Sequence, residues 1–222
     1  MINVKVSRTD KEKNNLLHRL KKLKNTEIYS SYCDSFGTPS RIYKCSWQET
    51  VFKEVGNSEI SNDKDSLYII EFPPQNERPV WTYITLGMSK KKMINGLRSE
   101  LIWLNEQSHK EIIKLLVGLS KYPFYDHTSL DYGQTISNSE TNSSFKMNSL
   151  LICPPIMETE DTAHLLDIFE KKHIELFWLL PIHQEEKNFI KDKQDFTKLL
   201  ELWIEKDIDP VILCNSERES ML

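Results

Sequence analysis

Glycine is scarce in this sequence. Six glycines stand among 222 residues, at positions 37, 56, 87, 96, 118 and 133. Their spacing excludes G-x-G-x-x-G and G-x-x-x-x-G-K-[ST], the loops that let a backbone cradle phosphates. A G-x-S-x-G nucleophile elbow is missing as well. The four cysteines (Cys33, Cys45, Cys153 and Cys214) form no C-x-x-C pair and have no histidine at finger spacing. That argues against a structural zinc site and a disulfide framework. Cys153 and Cys214 close apolar runs (LLIC and VILC), where cysteine behaves as a small buried hydrophobe. No apolar run reaches the ~18 residues of a membrane span. The opening MINVKVSRTDKEKNN is polar and basic and lacks the apolar core of a secretory signal. These absences set the expectation of a cytoplasmic protein with no metal, no cofactor and no membrane contact.

What is present supports a substantial core. A chain of this length buries roughly 70% of its unfolded surface without help from disulfides. Its charge is uneven. Residues 1–24 hold eight Lys/Arg and two Asp/Glu, whereas the whole chain carries a net −4. Residues 158–222 hold eight Lys/Arg against sixteen Asp/Glu. An acidic body repels nucleic acid and attracts basic partners, so a protein partner is expected and direct nucleic-acid binding is not.

Along the chain, Leu16, Leu17, Leu20 and Leu23 recur at helical spacing, with Asp10 placed to cap. Residues 1–26 therefore read as a basic amphipathic helix or arm, and residues 27–222 as the domain proper. The stretch 34–40 (DSFGTPS) reads as a loop. Strands are expected over 41–48, 67–72, 80–86, 100–104, 147–153, 174–180 and, short and last, 211–214. The 174–180 run (IELFWLL) suits a central strand buried on both faces. The 67–72 and 80–86 strands form a hairpin. Residues 89–95 read as a basic surface loop and 137–144 as a loop without apolar content. Helices are expected over 109–122, stopped by Pro123, over 162–171, and over 195–206. Glu185 and Glu186 fit the first turn of a further helix, where carboxylates meet the positive end of the dipole. The whole reads as an α/β (α+β) layered sandwich, a mixed and mainly antiparallel sheet of about six strands covered by helices. Trp178 and Trp203 fit core positions; of Trp47 and Trp81, both near strand ends, one is a candidate for exposure.

Catalytic constellations are thin. His183-Gln184-Glu185-Glu186-Lys187 has a lysine where H-x-x-E-H needs its second histidine. Asp126-His127 is the one acid–base couple in a polar and aromatic stretch, yet adjacent residues rarely share a proton and no nucleophile is marked. A loop packed by Phe124, Tyr125 and Tyr132 is the simpler reading.

From Val80 to Ser89 (VWTYITLGMS) the sequence resembles the suppressor-of-fused domain family. A strand ends in Thr85-x-Gly87-Met88-Ser89, and Arg98-x-Glu100-Leu101 opens the next. A helix follows, then Pro123, His127 and Gly133. An apolar strand runs into the Pro154-Pro155 pair, and another ends Leu179-x-Pro181 before Glu185 and Glu186. Arg218 completes the ordered set, which extends over about residues 34–218. The resemblance implies a non-enzymatic α/β sandwich. Animal members sequester a transcription factor, in part through a strand that the partner adds, and carry a second domain for which this chain is expected to end too early. Short bacterial members resemble immunity proteins paired with toxins, often nucleases. The expected function is therefore capture of a cognate toxin, with a regulatory module that binds an extended peptide as the alternative and a hydrolase built on His127 and Asp126 as the weakest. Candidate partner-binding residues are Thr85, Ser89, Glu100, Glu185 and Glu186. Gly87, Pro123, His127, Gly133, Pro154 and Pro181 are the signature positions expected to shape the fold.

Overall fold

The computed structural model describes residues 24–75, 78–137, 146–155 and 160–222. The amphipathic segment expected over 10–24 lies outside them up to its last residue, as does nearly all of the polar loop at 137–144. Among the described residues, eight strands form one sheet: β1 (Arg41–Ser46), β2 (Lys53–Val55), β3 (Ser66–Phe72), β4 (Trp81–Leu86), β5 (Ser99–Asn105), β6 (Thr135–Ser137), β7 (Ser149–Cys153) and β8 (Glu175–Ile182). Their order is β2-β1-β3-β4-β5-β8-β7-β6. Every pairing is antiparallel except β5 with β8. That parallel seam joins the antiparallel β2-β1-β3-β4-β5 half to the antiparallel β8-β7-β6 half, so the expected mixed, mainly antiparallel sheet is what forms.

Helices cover both faces. On one lie α1 (Asn25–Phe36), α3 (Glu160–Lys172), α4 (Gln184–Lys193), α5 (Thr197–Glu205) and the short α6 (Pro210–Leu213), over a core that includes Ile70, Ile84, Ile102, Trp178 and Trp203. On the other lies α2 (Lys110–Tyr125), whose Ile112, Ile113, Leu116 and Val117 stripe packs on Ile69, Tyr83 and Trp103. Residues of β3, β5 and β8 are buried almost without break, as in any strand covered on both sides. The edge strands β2 and β6 have three residues each, which limits the backbone offered to a stray strand.

Several expectations need correction. The sheet has eight strands rather than about six, because β2 and β6 are too short and polar to show periodicity. Residues 25–36 form a helix well into the stretch expected to be a loop. Only Ile28, Tyr32 and Phe36 mark its buried stripe, and it stops where Gly37 turns left-handed (φ 80°). The helix expected to stop before Pro123 runs on to Tyr125. Proline in the last turn forfeits one hydrogen bond there instead of breaking a continuing ladder. Residues 211–214 are not a strand. Asp209 accepts from the Val211 amide (2.9 Å), and Pro210 opens a helical turn, so local capping prevails over the β-branched run. Trp47 is buried and Trp81 half-buried. Within the basic loop, Ser89 and Met93 are buried.

Candidate functional site

Several of the residues singled out in the sequence gather at two places, and each is organised around a buried carboxylate. The first is at the start of β5. Glu100 is fully buried. One carboxylate oxygen accepts from the Gly87 amide (2.9 Å), the Ser89 amide (3.0 Å) and the Ser89 hydroxyl (2.6 Å). The other accepts from the Thr85 hydroxyl (2.6 Å), whose oxygen also takes the Leu101 amide (2.8 Å). Arg98 donates to the Ser89 carbonyl (2.6 Å), closing the loop from outside. The geometry depends on Gly87 at φ 110°, because a Cβ there would stand 2.8 Å from the Ser66 carbonyl. A left-handed residue followed by a 3₁₀ turn points successive amides inward, which is a ready cradle for an anion. Here Glu100 of the same chain fills it. Burial pushes the Glu100 carboxyl above its ordinary range, opposed by its four donors. Tyr32, which donates to the Thr85 carbonyl (3.0 Å), is pushed well up by burial and by the nearby Glu100.

The second place holds the C-terminal tail. Glu186 lies in the first turn of α4, fully buried, and pairs with Arg218 through two bonds of 2.7 Å. It also accepts from the His183 amide (2.8 Å) and the Met221 amide (3.0 Å). Arg218 donates further to the Pro181 carbonyl (3.0 Å) and lies over the Trp203 ring. Burial alone would raise the Glu186 carboxyl, but the guanidinium and the two amides hold it below its ordinary range. The pair clasps residues 218–221 to the end of β8.

Of the candidate partner-binding residues, Thr85, Ser89, Glu100 and Glu186 are thus fully buried and hydrogen-bonded within the domain, and Glu185 alone is exposed. The signature positions fall as follows. Pro123 is buried inside α2 and Pro181 inside β8. A Cβ on Gly133 (φ 84°) would meet the Phe196 ring at 2.6 Å. Pro154 and His127 are exposed. Asp126 and His127 both face solvent, with His127 left-handed at φ 48°. The aromatics around them pack elsewhere: Phe124 on Trp47 (5.1 Å) and Tyr132 on Phe177 (4.9 Å), both edge-on. Among the described residues, no group of three or more His, Cys, Asp and Glu is placed to hold a metal ion, and no helix is long and apolar enough to cross a membrane. Burial pushes the Cys214 thiol up to about 12 and that of Cys153 higher still, so neither is a reactive thiolate.

Residues 63–218 match the family described as suppressor of fused protein (SUFU). The chain belongs to that family. Thr85, Gly87, Ser89 and Glu100 of the first cluster and Glu186 and Arg218 of the second fall inside the matched span. No match was found among curated proteins. Solved structures share the fold, three among them as follows. A protein described as a SUFU homolog from Neisseria gonorrhoeae aligns at TM-score 0.63 and 18% identity, over 89% of this chain and 96% of the other. The Sufu–Fu complex aligns at 0.51 and 12%, over 88% of each chain. Drosophila Suppressor of Fused aligns at 0.53 and 13%, over 88% of this chain and 49% of that longer one.

What sequence reasoning missed is a surface. Along α5, α6 and the turn between them, Glu201, Glu205, Lys206, Asp207 and Asp209 are exposed, Glu201 paired with Lys198, as are Ile204 (77% exposed) and Ile212 (44% exposed). The signal was legible as an isoleucine on the wrong side of the Leu199–Trp203 stripe.

Proposed function

We propose that this SUFU-family chain is a non-catalytic binding protein that captures a basic protein partner, an immunity protein that neutralises a cognate bacterial toxin of nuclease type. The α5–α6 corner carries the reading. Two isoleucines in water have an unfavourable exposure that a partner would relieve, and the excess of carboxylates over lysines along 198–209, four against two, favours a basic one. The Sufu–Fu complex shows a relative engaged with a protein, which supports the general mode. The test is co-expression with the product of the neighbouring gene. Survival with this protein and death without it are expected, with a complex that co-purifies. Ile204→Asp combined with Glu205→Lys should abolish protection while leaving the melting temperature unchanged. A harmless neighbour, or full protection by that variant, overturns the reading.

A second reading rests on the sheet edges. The outer sides of β2 and β6 are open among the described residues, so an extended peptide of a partner could add as a strand in a regulatory, sequestering mode. Binding that survives unfolding of the partner favours this mode; binding that needs a folded partner removes it.

A further inference from the structure

A second surface combines the basic loop before β5 with the groove beside it. Residues 89–98 carry Lys90, Lys91, Lys92 and Arg98 and no acidic residue. Most of that charge is engaged within the domain. Lys90 donates to the Asp63 carbonyl, Lys91 lies 3.7 Å over the Trp47 ring, and Arg98 donates to the Ser89 carbonyl. Lys92 is exposed and makes no ion pair among the described residues. Next to it the chain closes a tight turn. The Gly96 amide donates to the Met93 carbonyl and the Met93 amide to the Leu97 carbonyl, both at 2.9 Å. Met93 is buried, whereas Ile94, within the turn, is 73% exposed. The Asn95 side chain donates to Asp131 (3.1 Å), which fixes the turn beside a groove of about 590 Å³ along α3. Leu97, Leu166 and Leu176 form the apolar floor of this groove, and its rim is acidic. Asp167 pairs with Lys171, and Glu175 accepts from the Tyr132 hydroxyl (3.0 Å). Glu170 is exposed and makes no ion pair among the described residues.

We infer that this face joins two copies of the chain in an isologous dimer. The Ile94 turn of each copy sits in the α3 groove of the other, and Lys92 of each meets Glu170 of the other. Turn and groove are complementary in apolar contact and in charge. One offers a protruding isoleucine beside an unpaired cation, the other an apolar floor beside an unpaired carboxylate. They also lie side by side, because Leu97 closes the turn and lines the groove. A two-fold axis near Leu97 therefore brings each turn over the opposite groove, and every contact is made twice. A second copy is the occupant because this chain already carries both halves of the contact on one face. Two backbone bonds hold the turn before association, so little ordering is lost on docking. A groove of about 590 Å³ lies in the range that takes a small ligand whole, so an isoleucine and a lysine stem fit. The dimer uses none of the α5–α6 residues and stands independently of toxin capture.

Sedimentation velocity on the full chain tests this. Between about 1 and 100 µM, the range expected of a small interface, the mass should rise from one chain to two. Ile94→Asp should weaken the dimer about a hundredfold, because the change is felt at two contacts. Lys92→Glu and Glu170→Lys each set like charges against one another and should each weaken it about tenfold. Mixed in equal amounts, these two variants should dimerise as the parent does, because both contacts then join opposite charges. All three positions are exposed, so the melting temperatures of the variants should not move. Because the charged contact lies at the rim, the dimer should also weaken from low to high salt. A parent that stays monomeric over the whole range overturns the inference. So does a dimer indifferent to Ile94→Asp, or a mixture no more dimeric than its components. Toxin capture is read by survival, so the failure of either proposal leaves the other standing.

Discussion

Glu100 and Glu186 are both closed off from solvent, and by opposite means. Glu100 sits in a cradle of two amides and two hydroxyls and makes no ion pair among the described residues. Glu186 faces a guanidinium in a two-bond pair and takes two amides besides. Deep burial leaves the Glu100 carboxyl raised despite its neutral donors, while Glu186, less deeply desolvated and facing a full counter-charge, lies below its ordinary range. The lesson is that desolvating a carboxylate is tolerated with neutral donors only at the cost of easier protonation, whereas a paired charge makes each partner indispensable to the other.

The sharpest way to break the comparison is to remove one partner. Arg218→Ala leaves Glu186 charged and buried, and should destabilise by about 3–5 kcal/mol in urea titrations. Glu186→Gln should cost nearly as much, because Arg218 is then the uncompensated charge. The cradle breaks through its backbone instead. Gly87→Ala forces a side chain to φ 110° against a fixed carbonyl and should cost about 2 kcal/mol by the same measurement. Neutralising the cradled carboxylate should matter least. In Glu100→Gln, the amide oxygen still takes the Gly87 and Ser89 donors and the amide nitrogen can donate to Thr85, so a loss of about 1 kcal/mol is expected. A loss as large as that of Glu186→Gln would erase the distinction.

Acidity separates the two sites further. Glu186 has a lowered folded value, so its contribution is present above the ordinary 4.5 and is lost as pH falls through that lower value. Glu100 has a raised folded value, so its contribution is present below 4.5 and is lost as pH rises through the raised value. Urea midpoints from pH 3 to 8 should show both limbs. Glu100→Gln should flatten the limb above 4.5 and leave the acid limb intact.

The strands that build the sheet were legible wherever they were long and apolar: 67–72, 80–86 and 174–180 formed as expected, because alternation or continuous burial leaves a periodic mark. The short edges β2 and β6 left none. The α1 helix was hidden because three buried apolar residues in twelve are too few to stand out, and α6 because a capping aspartate outweighed Val211 and Ile212. The residues of the two clusters were legible as an ordered set, but their grouping was not. Thr85, Gly87, Ser89 and Glu100 come together only because β4 and β5 pair side by side, and Glu186 and Arg218 only because the tail folds back over α4.

The sequence by itself determined the fold class, the SUFU membership and the uneven charge, all of which are properties of composition and local order along the chain. Only the tertiary structure decided that four of the five residues offered for partner binding are turned inward, and that Ile204 is turned out. A residue's type states what it can bond to, but long-range packing determines whether the bond is made inside the chain or remains available to a partner.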